Sequence, residues 1–451
     1  MEQQTQLARL GLFDAKVPRY TSYPTAPHFA NDVRGGDFRQ WIEAIPAGNA
    51  ISLYVHVPFC RRLCWFCACR TQGTSTNSPL RAYLDTLKAE LDLLARDLPA
   101  GVTLSRLHFG GGTPTLLPAA MLTELTEAIY SFLPLGPNAE FSVEIDPNEI
   151  DDGRLDALAA AGMTRASIGV QDFDPEIQKI IGREQSYEIT EAAVNGLRAL
   201  GVLSLNADIL YGLPNQTDSR IADSVQKLLS LSPDRVALYG YAHVPWMAKR
   251  QSMIPSDALP TPQERLGLFE TARELFVWDG YAEIGIDHFA VKGDGLETAQ
   301  RSGRLKRNFQ GYTDDTAEVL IGVGASSISR FPQGYAQNAP ATSAHTQKIR
   351  EGQYSTARGH RFSKVDVIRG RMIEALMCDF SVSVAEVAAL PGASRSDVSR
   401  WCAEVAAQFP GFVRFADGRL DILPEGRPLT RMVARAFDAY DLSRAGHSSA
   451  V

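Results

Sequence analysis

Four of the six cysteines in this 451-residue chain fall within ten positions, in YVHVPFCRRLCWFCACR (54–70): Cys60, Cys64, Cys67 and Cys69. They stand too close together to pair usefully as disulfides, and such a cluster in a reducing compartment reads first as a metal or redox site. Structural zinc sites take four ligands, commonly as two separated pairs. No second cysteine pair or close Cys/His pair follows, so a closed zinc site has little support. Three thiolates spaced C-x3-C-x2-C can instead bind three irons of a [4Fe–4S] cubane and leave the fourth without protein sulfur. An open metal position is where a substrate or cofactor can coordinate. Cys60, Cys64 and Cys67 are the candidate ligands, and Cys69 is one more than the set needs. Cys378 and Cys402 stand alone in helical patterns and read as small buried hydrophobes.

A second group of chemistry-bearing residues recurs where apolar runs end. Gly110-Gly111-Gly112-Thr113 is a tight turn or a phosphate loop in form, but no Lys-Ser/Thr follows as a P-loop requires. Glu144 ends the run in SVEIDP. Gln171, Arg183 and Asp208 come from later run ends or loops. Arg183 can offer a planar fork to a carboxylate, and Asp208 can accept from hydroxyls.

The elements that must position these residues begin at position 51. Short apolar runs at 51–57, 105–110, 140–146, 165–171, 205–212, 235–241 and 282–289 alternate with amphipathic stretches. The clearest of these begins at Ser78-Pro79, a cap with proline in the first turn, and repeats Leu80, Tyr83, Leu84, Leu87, Leu91 and Leu94 on one face. Nearly all-apolar strands joined through helices predict a parallel sheet covered on its outer face. So many units in series favour an α/β fold built as a partial (β/α) barrel over an open doubly wound sheet. In such a barrel the chemistry sits where strands end. The endings HVPFC, FGGGTP, EIDP, VQDF, YGLP, YAH and IDHFA are all polar or unusual. The reading divides the chain into an N-terminal arm (1–48), a catalytic barrel (49–345) and a mostly helical C-terminal domain (346–451). The last has helices expected near 364–379, 383–390, 394–408 and 427–441, and a β-hairpin turning at Asp417-Gly418.

Composition excludes several classes of function. The chain is 45% hydrophobic and 22% charged with a net charge of −7, as expected of a soluble globular protein without a basic field for nucleic acid. Helices followed by a hairpin suggest a winged helix, but residues 361–451 carry 12 Lys/Arg against 11 Asp/Glu, no footprint for phosphates. The N-terminus lacks the apolar region of a secretory signal, and no apolar stretch reaches the roughly 18 residues of a membrane span. The expected location is the cytoplasm, with no nucleic acid partner.

C-x3-C-x2-C with an aromatic residue, Phe66, before the last cysteine resembles the signature of the radical S-adenosylmethionine (SAM) enzymes. PRYTSYPTA (18–26), SLYVHVPFC (52–60), CWFCAC (64–69), LHFGGGTPT (107–115), DILYGLP (208–214), DHFA (287–290) and RNFQGYT (307–313) go further. Together they resemble the oxygen-independent coproporphyrinogen III oxidases. The resemblance implies one [4Fe–4S] cluster on Cys60, Cys64 and Cys67, and two SAM molecules per turnover. It implies SAM contacts from Tyr54, Phe66, Gly111, Gly112, Thr113, Glu144, Gln171, Arg183, Asp208, Ala242 and Ile328. Tyr54, His56, Cys69, Gln310 and Ile328 match positions that the family's activity needs, although His56 reads equally as a hydrogen-bonded core histidine. The implied reaction converts two propionates of coproporphyrinogen III to vinyls, with CO2 released and electrons supplied by a donor of flavodoxin or ferredoxin type to a monomeric enzyme. Arg19, Arg304, Lys306 and Arg307 are candidate cations for the substrate's propionates. Ala68 stands where glycine is expected, and GASSIS (324–329) differs slightly from the family's usual loop. The related haem chaperones share the cysteine core and barrel and are the alternative. That branch lacks the Cys69 equivalent and the PRYTSYP arm, both present here. A DNA-binding regulator with a structural metal is a third reading.

Overall fold

The structure, a computed structural model, describes residues 2–441 and Ala450. The first apolar run forms β1 (Ala50–Val57), and the loop after it carries a two-residue pair, β2 (Phe59–Cys60) and β3 (Gln72–Gly73). β4 (Thr103–Gly111), β5 (Leu135–Ile145), β6 (Arg165–Gln171), β7 (Ser204–Tyr211) and β8 (Arg235–Gly240) then line up beside β1 in chain order, each parallel to the last. Helices connect them, the first being Ser78–Asp97, which packs Leu80, Leu84, Leu87 and Leu91 into the core. The α/β fold with a parallel sheet is borne out.

Two features differ from expectation. The run at 282–289 is not a seventh parallel strand. It breaks into β9 (Ala282–Ile284) and β10 (His288–Ala290), and β10 runs antiparallel to both β8 and β9. The break falls at Gly285, with φ +55°, where an added Cβ would stand 2.0 Å from the Tyr312 ring. The seventh parallel strand comes from further on. After the hairpin β11 (Lys306–Asn308) and β12 (Gly311–Thr313), β13 (Leu320–Val323) pairs parallel to β1 on its free side. A four-residue strand, Leu-Ile-Gly-Val, before a glycine- and serine-rich segment gives no periodic signal. Antiparallel β14 (Ile328–Phe331), β15 (Gly334–Asn338) and β16 (Thr356–Arg361) complete one twelve-stranded sheet.

Among the described residues no ladder joins the β8 side to the β13 side, so the barrel is partial. The β11–β12 segment occupies the gap. Arg106 on β4 donates to Asp314 at 2.7 Å, Ser52 on β1 donates to Asp315, and Tyr312 meets His288 on β10 edge to face. The strands are also less apolar than the runs suggest. Leu53, Val55, Leu107, Phe109, Phe141, Val143, Ile168 and Ile209 lie in the main core. The alternating residues Ser52, Arg106, His108, Glu140, Ser142, Glu144, Arg165, Ser167, Asn206 and Asp208 line a lumen. Alternation, not a continuous apolar run, is the pattern here.

A second core joins the chain's beginning to its end. Leu12, Val17, Tyr20 and Tyr23 pack with residues of the helices Lys364–Asp379, Val384–Ala388 and Arg395–Gln408. β17 (Ser381–Ser383) flanks a hairpin of β18 (Val413–Ala416) and β19 (Arg419–Ile422), which turns at Asp417 and Gly418, both with positive φ. The helix expected over 427–441 is shorter: Pro428 sits in a 3-10 segment, and α-helix spans only Thr430–Arg435. Residues 342–361, across the boundary drawn at 346, hold the helix Thr342–Arg350 and the sheet's edge strand β16.

A buried ion pair ties β8 to the helix Gly295–Arg301. Arg235 and Asp294 meet at 2.8 Å with side chains 4% and 5% exposed, and Asp294 also caps Gly295–Arg301. Arg235→Met leaves a buried carboxylate without its cation and lowers stability by about 3–5 kcal/mol. Urea denaturation reads this directly, and an unshifted midpoint would contradict it.

Candidate active site

The backbone of the cysteine loop hangs by hydrogen bonds from three other parts of the chain. Thr113 N donates to Phe59 O at 2.8 Å, and Trp65 N donates to Ile181 O at 2.9 Å. The Gln251 amide donates to Phe66 O at 2.6 Å and to Ala242 O at 3.0 Å, and Arg250 donates to Cys69 O at 3.0 Å. Cys64 is buried, Cys60 and Cys67 are half-buried, and Cys69 is exposed. Among the described residues no three His, Cys, Asp or Glu side chains converge on one ion position. A mononuclear zinc site needs that convergence; a cubane does not, because each sulfur serves a different iron.

Burial pushes the Cys60 thiol up to about 11 and raises Cys64 too. Bound iron would deprotonate both. Arg183 faces this thiol pair: Nη1 donates to Cys64 Sγ at 3.6 Å and to Asp146 at 3.2 Å, and Nη2 donates to Gly169 O at 2.9 Å. Its buried Nε has no protein partner in the structure, which leaves a donor for a bound group. A hydrogen bond from the Cys69 thiol pulls Cys67 down to about 6 and raises Cys69 well above the usual thiol range. The donor set, the facing cation and the spare N–H fit an iron–sulfur cluster with a polar cofactor beside it.

The glycine loop meets the cysteine loop at van der Waals contact. A Cβ on Gly112 would lie 2.4 Å from Phe59 O and 3.0 Å from Cys60 Sγ. Gly111 holds φ +115°, a conformation side chains disfavour, and its N–H donates to Glu144 at 3.0 Å. Burial raises the Glu144 carboxyl, but His108 at 3.3 Å and the Gly111 N–H together hold it below the usual range. His108 stacks on Tyr54 with ring centroids 5.6 Å apart, and Tyr54 Oη meets His56 Nδ1 at 3.0 Å. Burial lowers the His56 pKa, which favours a neutral ring.

The remaining expected residues fall around the same opening. Gln171 ends β6 with φ +68° and lies over Gly169 with Arg183. Ile328 begins β14, its carbonyl against Gly322, the residue paired with Tyr54. Gln310 sits in the β11–β12 turn and, with Glu144, Asp208, Tyr239 and His288, lines a lumen cavity of about 90 Å³. Asp208 accepts from Asn206 at 2.8 Å, and burial pushes its carboxyl up to about 7. Of the four candidate cations, Arg304 is exposed and donates to Ser302, away from the walls of this lumen. Its position in sequence, near the RNFQGYT block, does not carry its side chain inward.

Sequence reasoning missed His108, Asp146, Arg250 and Gln251. His108 and Asp146 were reachable: His108 sits two residues before Gly110 on the alternating polar face of β4, and Asp146 two residues after Glu144, just past the end of β5. Arg250 and Gln251 lie in a loop with no periodicity to mark them. The GVGASSIS segment is held from an equally silent place: Tyr83 and buried Glu90, both on the Ser78–Asp97 helix, bind Ala325 N at 2.8 Å and Gly324 N at 2.7 Å. Gly112→Ala should displace the Phe59 carbonyl and Cys60. After anaerobic reconstitution its iron and sulfide content should fall well below that of the unmodified chain; equal content would refute this packing argument.

The radical SAM superfamily profile matches residues 54–228. The oxygen-independent coproporphyrinogen III oxidase of Paracoccus denitrificans is 68% identical over 451 residues, covering the whole of both chains. The protein of that name from Cereibacter sphaeroides is 61% identical over 439 residues, covering 97% of this chain and 98% of its own. The solved structure of coproporphyrinogen III oxidase from Escherichia coli, described as a radical SAM enzyme, superposes with a TM-score of 0.90. It shares 36% identity and covers 95% of this chain and 100% of its own. With that fold and that full-length identity, the chain belongs to the oxygen-independent coproporphyrinogen III oxidase family of the radical SAM superfamily.

Proposed function

We propose that this chain oxidatively decarboxylates two propionate side chains of coproporphyrinogen III to vinyl groups, yielding protoporphyrinogen IX and CO2 in haem biosynthesis. The observation that carries the site reading is the C-x3-C-x2-C loop pinned against Gly112 at the mouth of a polar lumen. Full-length relatives carrying the oxidase name supply the substrate and leave the haem-chaperone alternative unfavoured.

Cys60, Cys64 and Cys67 would hold a [4Fe–4S] cluster. Tyr54, Phe66, Gly111, Gly112, Thr113, Glu144, Gln171, Arg183, Asp208, Ala242 and Ile328 would surround SAM. Cluster and SAM would supply a carbon radical able to take a hydrogen atom from an unactivated propionate β-carbon, chemistry no side-chain acid or base can do. The chain's own part is placement and exclusion. Glu144, held ionised, can receive an ammonium group, and the Arg183 fork can hold a carboxylate. The Asp208 carboxylate can accept from ribose hydroxyls. Neutral His56 fixes the Tyr54 hydroxyl through Nδ1. Each propionate loses one hydrogen atom, CO2 and one electron, so two SAM are consumed per porphyrinogen. The reading includes a one-electron donor of flavodoxin or ferredoxin type and a monomeric, cytoplasmic enzyme. No helix among the described residues is long and apolar enough to cross a membrane.

Reconstitution with iron and sulfide, then anaerobic incubation with SAM, a reductant and coproporphyrinogen III, should yield protoporphyrinogen IX. Tight haem binding without conversion would defeat the proposal. Cys69→Ala should keep its iron and sulfide yet lose conversion, whereas cluster loss would overturn the three-ligand assignment.

Asp208 gives a separate handle. Its folded pKa of about 7 lies above the ordinary 3.8, so the folded state holds a proton that the unfolded chain releases between those values. Stability therefore falls as pH rises from about 4 to about 7 and then levels. Asp208→Asn cannot ionise and should gain stability over the unmodified chain at pH 8 but not at pH 4. Denaturation midpoints at the two pH values check the sign.

A further inference from the structure

Glu90 lies on the buried face of the Ser78–Asp97 helix, which covers the sheet from outside, and its own exposure is 2%. Among the described residues no Lys or Arg pairs with its carboxylate, and the buried imidazole of His345 comes no nearer than 3.4 Å. A buried carboxylate without such a cation is costly to keep, and an apolar residue of the same volume would fill its place more stably. What a carboxylate alone supplies is two acceptor oxygens for two donors. Oε2 accepts from Gly324 N at 2.7 Å, and Oε1 accepts from the Asn338 amide at 2.7 Å. Asn338, at the end of β15, also donates to Gly324 O at 3.1 Å. Glu90 and Asn338 thus clamp both the N–H and the carbonyl of one glycine. Tyr83, about two turns earlier on the same helix, accepts from the next N–H, that of Ala325, at 2.8 Å.

The clamp sits at the start of the turn between β13 and β14, and that turn touches the reactive end of β1 twice. Tyr83 donates to His56 O at 3.0 Å, and a Cβ on Gly324 would stand 2.6 Å from the same carbonyl. Ser326 Oγ meets His56 Nε2 at 3.4 Å, while the other ring nitrogen meets Tyr54. Ser326 holds φ +65°, left-handed backbone that a residue with a side chain keeps only where its surroundings enforce it. Two positions on, Ile328 begins β14. We propose that Glu90 is a positioning residue for the oxidation: by fixing Gly324 it sets the 324–328 turn against His56, and with it the places of His56, Tyr54 and Ile328. The proposal rests on the function proposed above and gives a helix outside the sheet a part in it.

Glu90→Gln keeps the volume but turns one acceptor into a donor, so Gly324 N or the Asn338 amide loses its partner. Hydrogen–deuterium exchange of the full chain, read by mass spectrometry, should run roughly tenfold faster at 324–327, the loss of one charge-assisted hydrogen bond. Exchange in β1 and β7 should stay as it is. No acceleration at 324–327, or equal acceleration in β1 and β7, would overturn the proposal, and this arm needs neither cluster nor turnover. With coproporphyrinogen III, the reconstituted chain should release 5′-deoxyadenosine and CO2 in equal amounts. Glu90→Gln should release roughly threefold more 5′-deoxyadenosine than CO2, because a displaced reacting group is missed. Ser326→Ala, at a half-buried position that leaves the clamp intact, should raise this ratio without changing exchange at 324–327. An unchanged ratio there would overturn the proposal even where Glu90→Gln does not fold. The double variant should match Glu90→Gln alone, since both act on His56 through one turn; ratios that multiply would overturn it as well. Failure of the unmodified chain to convert coproporphyrinogen III would defeat the proposed function, with the exchange result standing for the clamp.

Discussion

The charged lumen is the constraint on which the rest of this structure depends. A sheet with one apolar face and one face of Arg, Glu, His and Asp has to satisfy the second face internally, because an unpaired buried charge costs several kcal/mol. Arg106 does most of this, meeting Glu140 at 2.6 Å and Asp314 at 2.7 Å, while Arg165 reaches Glu140 at 3.6 Å. Burial works to raise the Glu140 carboxyl, and the two guanidiniums hold it down at about 2. Because Asp314 follows β12, the same network fastens the segment that fills the open side of the sheet. Ion pairs thus span the gap that the hydrogen-bond ladder does not.

That arrangement leaves the mouth of the lumen free to be built from backbone. Carbonyls of Phe59, Phe66 and Cys69 fix the cysteine loop, so the loop's own side chains need not support it. Gly111 and Gly112 allow the neighbouring strand end to approach at contact distance. The side chains with chemistry, three thiols, the Glu144 carboxylate and the Arg183 fork, gather at that mouth. Rigid support around a small set of reactive groups is what a radical reaction requires, since misplaced reactivity is spent on protein or solvent.

Much of this was legible in the sequence, and for physical reasons. The C-x3-C-x2-C spacing, the glycines after the second strand and Glu144 announce themselves because metal ligation and close backbone approach tolerate few residue types. The parallel strands through β8 follow from apolar runs at regular intervals. The β9–β10 reversal was hidden, because only the Tyr312 ring, far off in sequence, demands a turn at Gly285. β13 was hidden because four residues are too few to show a period. Arg250, Gln251 and Glu90 act through hydrogen bonds to residues far off in sequence, which leave no local pattern at all. Polar residues alternate on the strands, whereas the runs read as nearly all apolar.

The chain's two ends meet: Arg431 donates to Pro18 O, and Ala450 N donates to Ala15 O at 2.8 Å. This has a meaning for biogenesis. Every residue placed around the cysteine loop and the lumen has been synthesised by the end of β14. The contact between the two ends cannot form until Arg431 has been added and Pro18 lies beside it. Synthesis therefore orders the molecule in time, with the sheet and its lumen made before the ends can be joined.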